Sequence, residues 1–489
     1  IHHLDFLAGY EIDDTYNDYL SGEAYNFTTP DKHAISNGMK TVSVGGSDSR
    51  YRLVSYLSRL NYDYKNKYYL GASFRVDGSS RLHRDNRWGT FWSVSGAWRT
   101  IEEEFMQPVK DWLTDLRIRA SYGVNGTLPS DYFGYMGLSS ISGGYLEQPG
   151  IQMSQIANPN LKWETNYNMN IGLDFGFWDR LNFTIEYYTR TTKNLLMDCP
   201  VSMTTGFSSY LMNIGEVKNK GIELTINSTN IKIKDFSWNT TFNLGHNSNK
   251  VVKLDGEQTQ IVSGTQIHKV GSSYRTFYVQ EFAGINPETG NPLFYTNELD
   301  ENGNYIKEIT ENSKNAQFIP YKHAEPTVNG GISNSLRYKW LDLNFLFSYQ
   351  FGGYSYDTWA QKTEHGGYDS YANIPTYYRD SWKKPGDQTN IEVYMPGKSS
   401  SVSMHKITSS RRIHSTDYFR LKNITFGITL PKEWTNKINI GNVRFYASAS
   451  NLWTWAAYDN YDPEAVSAGS ATQTTPPLKT VTFGLNINF

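Results

Sequence analysis

Residues able to do covalent or metal chemistry are few and scattered in this chain. The one cysteine, Cys199, excludes an intrachain disulfide framework and any Cys-rich metal site. His2-His3 opens the chain, and the remaining histidines are dispersed without the carboxylate or cysteine spacing that a zinc site needs. Asp300-Glu301-Asn302-Gly303-Asn304 lightly resembles a calcium loop but lacks the D-x-D-x-D-G alternation and the terminal Glu, so a Gly-containing turn is expected there. G-x-x-x-x-G-K-[ST], H-E-x-x-H and G-x-S-x-G are all missing. No catalytic residue, metal ligand or cofactor is therefore assigned, and the chain is not expected to be an enzyme. Asn-x-Ser/Thr triplets include those at Asn26, Asn182, Asn227, Asn239 and Asn423; most of these fall in expected strands, where Thr is favoured for its β-propensity, and none is assigned to glycosylation.

The chemistry on offer is that of binding. Between residues 352 and 416, Tyr354, Tyr356, Trp359, Tyr368, Tyr371, Tyr377, Tyr378 and Trp382 are interspersed with Gly, Asp, Lys and Arg. Aromatic faces with polar neighbours stack on sugar rings or hold peptide side chains, which makes these eight the candidate substrate-binding residues. The same pattern also serves to pack loops on one another or against a partner protein, and both readings stay open at this point. Trp453, Trp455 and Tyr458 raise the same choice, with an interfacial girdle as the favoured role.

Something must carry these loops. The 489 residues include 24 Phe, 36 Tyr and 13 Trp, yet mean hydropathy is -0.57. Such a chain is too aromatic for disorder and too poor in aliphatic residues for a conventional large soluble core. With 46 Lys+Arg against 48 Asp+Glu, no electrostatic case exists for a nucleic-acid partner. No stretch approaches the about 18 to 20 apolar residues of a membrane helix, but a membrane strand is signalled by alternation instead.

Alternation is what recurs. Tyr167, Met169, Ile171, Leu173, Phe175 and Phe177 share one face, against Asn166, Asn168, Asn170 and Asp174 on the other. The pattern repeats in Leu181, Phe183, Ile185 and Tyr187, in Leu116, Ile118, Ala120 and Tyr122, and in Leu4, Phe6, Ala8, Tyr10 and Ile12. Fourteen strands are expected on this basis: 1–13, 50–64, 68–79, 88–100, 113–124, 163–177, 180–192, 217–229, 235–248, 327–338, 340–351, 417–430, 442–455 and 478–489. Most reach the length that a tilted membrane-crossing strand needs. Polar positions include Arg75, Asp77, Arg117, Arg119, Asp174, Glu186, Arg190 and Glu223, side chains that would line water or contact a plug.

The connections supply an independent test. Short links at 65–67, 101–112, 178–180, 230–234, Lys339 and 431–441 alternate with long ones at 14–49, 80–87, 125–162, 193–216, 249–326, 352–416 and 456–477, of which only 80–87 is brief. Two packed soluble sheets have no reason to alternate this way; an up-and-down barrel does. Trp98, Trp112, Trp178, Trp238, Trp340 and Trp434 fall beside the short links, as an interfacial aromatic girdle would. The last strand places Val481, Phe483, Leu485, Ile487 and Phe489 on one face, similar to the C-terminal signal of bacterial outer-membrane barrels.

Further segments resemble the SusC/RagA family of TonB-dependent outer-membrane transporters of Bacteroidetes. They are Tyr68-Tyr69-Leu70-Gly71-Ala72-Ser73-Phe74-Arg75-Val76-Asp77-Gly78-Ser79-Ser80, Trp88-Gly89-Thr90-Phe91, Leu116-Arg117-Ile118-Arg119-Ala120-Ser121-Tyr122-Gly123 and Asn158-Pro159-Asn160-Leu161-Lys162-Trp163-Glu164. Asn213-Ile214-Gly215, Asn219-Lys220-Gly221-Ile222-Glu223, Tyr418-Phe419-Arg420-Leu421-Lys422-Asn423 and Tyr461-Asp462-Pro463-Glu464 complete the series. The resemblance implies an all-β transmembrane antiparallel barrel of roughly 22 strands, of which 1–489 would be the C-terminal part, its long links 14–49, 125–162, 193–216, 249–326, 352–416 and 456–477 being extracellular. It also implies active import of an oligomeric glycan or peptide across the bacterial outer membrane. The partners so implied are a SusD-like surface lipoprotein lid, the N-terminal barrel and plug portion, TonB acting through that portion, outer-membrane lipid and a dimeric SusCD assembly, with no nucleic acid. Alternatives are a self-contained 14-stranded passive channel and a surface β-structured binding protein.

Overall fold

The computed structural model describes residues 2–488 apart from 30, 33, 146–147, 255–258, 369–372, 397–403, 436, 438–439 and 472–473. Its long strands are β1 (His2–Phe27), β2 (Gly38–Tyr64), β3 (Tyr68–Ser79), β4 (Trp88–Trp98), β5 (Leu113–Thr127), β6 (Glu164–Phe177) and β7 (Leu181–Pro200). They continue with β8 (Ser209–Lys232), β9 (Phe236–Leu254), β10 (Val328–Tyr338), β11 (Leu341–Phe351), β12 (Tyr418–Thr429), β13 (Asn442–Ala456) and β14 (Thr480–Asn488). These form one sheet in which each strand lies beside its chain neighbours. Every expected strand is present. Among the described residues no helix is long and apolar enough to cross a membrane.

Several expected links are shorter than the sequence suggested. The ladder between β1 and β2 runs on to Phe27↔Gly38, so most of 14–49 is strand. Likewise β7 continues to Pro200 and β8 begins at Ser209, leaving little of 193–216 outside the sheet, and part of 125–162 forms a separate hairpin of Leu138–Tyr145 with Gln148–Gln155. Apolar alternation ends where one face stops meeting an apolar surroundings, but ladder hydrogen bonds need no apolar face, so the strands outlast the pattern. In the short links 65–67 and 178–180, Lys65 and Asn66, and Trp178 and Asp179, adopt the left-handed backbone that matches the twist of a hairpin.

The chain groups into two compact units. One comprises Ile1–Trp98, Arg119–Met169 and Arg190–Glu216. Its polar strand face is cross-linked: Arg75 donates to Asp77 (2.7 Å), Ser55 (2.8 Å) and Glu11 (3.0 Å), and Arg190 and Thr192 both donate to Asn166. Its apolar cluster gathers Leu82, Phe91, Leu161 and Trp163. A Cβ on Gly126 would lie 2.2 Å from the Phe91 ring, so only glycine fits there. Asn158 donates to the Leu211 carbonyl (2.7 Å), while Asn213 accepts from the Lys162 N–H (3.0 Å) and donates to its carbonyl (2.9 Å). Two of the segments that carry the resemblance thus buckle the 128–163 link onto the start of β8.

The other unit comprises Arg99–Ile118, Asn170–Thr189 and Val217–Phe489. Here Arg117 and Thr184 converge on Asp174, and Arg444 pairs with Asp342. Trp112, Trp178, Trp340 and Trp434 are exposed near the short links. Trp238 instead satisfies Asn334, its Nε1 donating at 2.9 Å to a carbonyl that also accepts from Thr240. The long excursions fold into small sheets of their own. Gln260–Ser263, Gln266–Lys269, Thr276–Gln280 and Phe318–His323 make one; Phe282–Ile285, Pro292–Tyr295 and Ile309–Thr310 a second; Ile413–Ser415, Tyr354–Asp357 and Ser470–Ala471 a third. Val481, Phe483, Leu485 and Ile487 are exposed along one face of β14; Phe489 lies outside the described residues.

Candidate functional site

The third small sheet is the key to the site, because it stitches two long links together. Tyr356 and Asp357 run parallel to Ser470 and Ala471, and Thr358 Oγ1 donates to the Ala471 carbonyl at 2.6 Å. Immediately after it, Asp357 caps the helix α1 (Thr358–Thr363), its Oδ1 accepting from the Ala360 N–H at 2.7 Å. That cap fixes where Trp359 emerges. Beside it opens a cavity of about 580 Å³, walled by Asp357 and Trp359 from one link, Asp459 to Pro463, Ala471, Thr474 and Pro476 from the other, and Arg420, Thr454, Trp455 and Ala456 from β12 and β13.

A buried ion cluster forms one wall. Arg420 is only 2% exposed, on the polar face of β12 between Phe419 and Leu421. Its guanidinium donates from Nη2 to Asp462 (2.6 Å), from Nη1 to Glu464, and from Nε to Thr454 Oγ1 (3.0 Å). Lys422 Nζ reaches Glu464 at 2.6 Å and the Tyr418 hydroxyl donates to it at 3.2 Å. Asp462 also caps the single turn Pro463–Ala465 by accepting from the Glu464 N–H (2.9 Å). A fork of fixed donors meeting two carboxylates is the arrangement that arginine makes and lysine cannot copy.

Tyr461 lines the cavity, and Tyr458 fixes the Asp357 and Asn460 side chains that line it. Tyr458 donates to Asp357 Oδ2 at 3.0 Å, accepts from Asn460 Nδ2 at 2.7 Å, and stacks on His414 with ring centroids 3.7 Å apart. Tyr461 bonds Ser355. Burial, reinforced by Asp357, pushes the Tyr458 phenol well above its ordinary range, and burial raises Tyr461 to about 12. Burial also lowers His414 to about 4, so it is a neutral ring at physiological pH. Nothing in this set is poised for proton transfer or nucleophilic attack. The cavity offers two exposed indoles, Trp359 and Trp455, hydrogen-bonding carboxylates and an amide, which is equipment for holding a polar ligand.

The eight aromatic candidates part company here. Trp359 alone among those described lines the cavity. Tyr356 is buried with Phe277 and Val279, and Tyr354 packs against that cluster beneath Lys322. Tyr377 donates to Glu364, which also holds the buried Arg412, and Tyr378 is buried. Trp382 lies over Gly290 and donates from Nε1 to the Pro287 carbonyl at 2.7 Å. Tyr368 is partly exposed beside Lys406, and Tyr371 lies outside the described residues. Trp455 reaches the cavity, but Tyr458, expected in a girdle, is spent on Asp357. Arg420, Asp462 and Glu464 were visible in the sequence only as part of a resemblance; the available signal was a lone Arg on the polar face of a strand otherwise flanked by Phe and Leu.

Comparison with known proteins places these features in context. Residues 2–304 match the family model described as TonB dependent receptor-like, beta-barrel. The chain is 32% identical over its whole length to TonB-dependent receptor P3 of Formosa agariphila, covering 51% of that protein. It is 30% identical to TonB-dependent receptor SusC of Bacteroides thetaiotaomicron, with 97% of this chain aligned to 47% of that one. A solved structure of the RagAB peptide transporter superimposes with a TM-score of 0.87 at 27% identity, covering all of this chain and 53% of that one. The chain thus spans about half the length of the curated relatives that it matches.

Proposed function

The chain belongs to the TonB-dependent receptor family, as a stretch of its outer-membrane β-barrel, and from that premise we propose that it serves the active import of an oligomeric glycan or peptide. The family is one of transporters, not enzymes, and its strands cross the outer membrane. The observation that carries the proposal is the superposition on RagAB over the full length of the chain. In this reading the chain supplies the later part of a larger barrel, and the earlier strands and a plug come from the rest of the transporter. The polar strand face, with Arg75, Asp77, Arg117, Asp174 and Arg190, meets that plug or water. The long links, the cavity among them, face the outside, where a SusD-like lipoprotein covers them and where two such complexes pair. The ligand is captured noncovalently at Trp359 and the polar wall around it, and TonB supplies the energy through the plug.

Purification of the full-length transporter from outer membranes, followed by native mass spectrometry, tests this directly. The probes are neutral oligosaccharides from partially hydrolysed plant and algal walls, and a tryptic digest of casein. Retention of one pool, together with a co-purifying lipoprotein and uptake that stops when TonB is deleted, is the expected result. Uptake that continues without TonB overturns it.

A further inference from the structure

Two segments lying some forty residues apart in the chain meet in one neutral ion quartet: Arg420 and Lys422 from β12, Asp462 and Glu464 from the 456–477 link. We propose that Arg420 is a positioning residue that sets the cavity for ligand capture by clamping the 456–477 link to the barrel wall; the proposal rests on the cavity being the capture site.

The geometry leaves Arg420 no other task. Its side chain is 2% exposed and its three nitrogens are spent on Asp462, Glu464 and Thr454, so it has little left to offer a ligand directly. What it controls is the link. Asp462 and Glu464 flank Pro463, and the residues immediately before them, Asp459, Asn460 and Tyr461, are cavity wall. The same link is also tied by Tyr458 to Asp357 and by Ala471 to Thr358, the two residues that immediately precede Trp359. Arg420 is therefore one of the fixed points between which the cavity wall is strung. Without it Asp462 and Glu464, close together and largely shielded from water, have among the described residues only Lys422 to offset them, and mutual repulsion moves the turn at 463–465 away from β12. A lysine at 420 supplies the charge but cannot engage three acceptors in a plane.

The test uses the full-length transporter in its native outer membrane and the pool of oligosaccharide or casein peptides that it retains. Uptake is measured against concentration for Arg420→Met, Arg420→Lys and Trp359→Ala, together with outer-membrane abundance and heat-modifiable migration. Arg420→Met is expected to raise half-saturation at least tenfold with maximal uptake and abundance within twofold, and Arg420→Lys to fall between. A folding role predicts the reverse, a lower maximum at unchanged half-saturation, and that result overturns the proposal. If Arg420→Met does not reach the membrane, the double variant R420M/D462N, which keeps the Lys422–Glu464 pair, strands no charge and must raise half-saturation equally. A response to Trp359→Ala without one to Arg420 overturns the clamp alone. A response to neither overturns the clamp and the capture site together, and a response to Arg420 alone keeps the clamp but moves capture away from Trp359.

Discussion

The excursions 14–49 and 456–477 read alike in the sequence, as links between long strands, and they solve the same problem in opposite ways. The first is held by its backbone. β1 and β2 keep their ladder from His2↔Tyr64 to Phe27↔Gly38 with one irregularity at Glu23/Ala24, while Leu20 is 80% exposed and Met39 84%. The second has almost no ladder and is held by side chains: Arg420, Asp357 and Thr358 each grip it at a named atom. Local sequence explains the difference. Thr15, Tyr16, Tyr19, Tyr25 and Phe27 favour an extended pleated chain, whereas Asp462-Pro463 and the left-handed pair Ala468 and Gly469 break it into turns. A segment held by its ladder tolerates side-chain change; one held by contacts does not.

That contrast can be broken at graded positions. The largest effect is expected from Tyr356→Ala, which empties the cluster with Phe277 and Val279 and costs about 3–5 kcal/mol of local stability; hydrogen exchange should report lost protection in 260–280 and 354–363 with little change in β1 and β2. Equal loss in both regions would mean that the excursions do not behave separately. A smaller, graded effect follows from His414, which is held neutral by burial, with Arg411 and Arg412 adding to the depression and Asp357 opposing it. Its folded value near 4 lies below the ordinary 6.5, so the unfolded link takes up a proton that the folded one refuses. Stability is full above about pH 6.5 and falls as the pH drops toward 4. His414→Gln should flatten the pH profile of proteolysis at 413–415 over that window. Least of all, Leu20→Ser in the first excursion should change thermal stability by no more than about 0.5 kcal/mol. A larger cost there would show that a partner covers this hairpin.

Legibility followed the same divide. The fourteen strands were readable because a strand that is greasy on one side and wet on the other writes itself as period-two alternation, and Tyr167 to Phe177 shows it residue by residue. Where both sides are wet, as in 14–27, the alternation stopped and the strand did not. The lining of the candidate cavity was readable only in part. Trp359, picked out by its type and setting, lines the cavity, but Tyr356, with the same credentials, is core, and Trp382 is bolted to the Pro287 carbonyl. Aromatic type says that a ring seeks a surface; it does not say whether that surface is a ligand or the next loop.

The amino-acid order by itself determined the strand faces and the succession of short and long links, because each of these is set by neighbours one to a few residues apart. Only the tertiary structure decided which polar residues meet. Arg420 lies more than forty residues from Asp462, and Asp357 about a hundred from Tyr458. Contacts at such separation are fixed by strand register and by the folding of one long link on another, neither of which leaves a periodic trace in the chain.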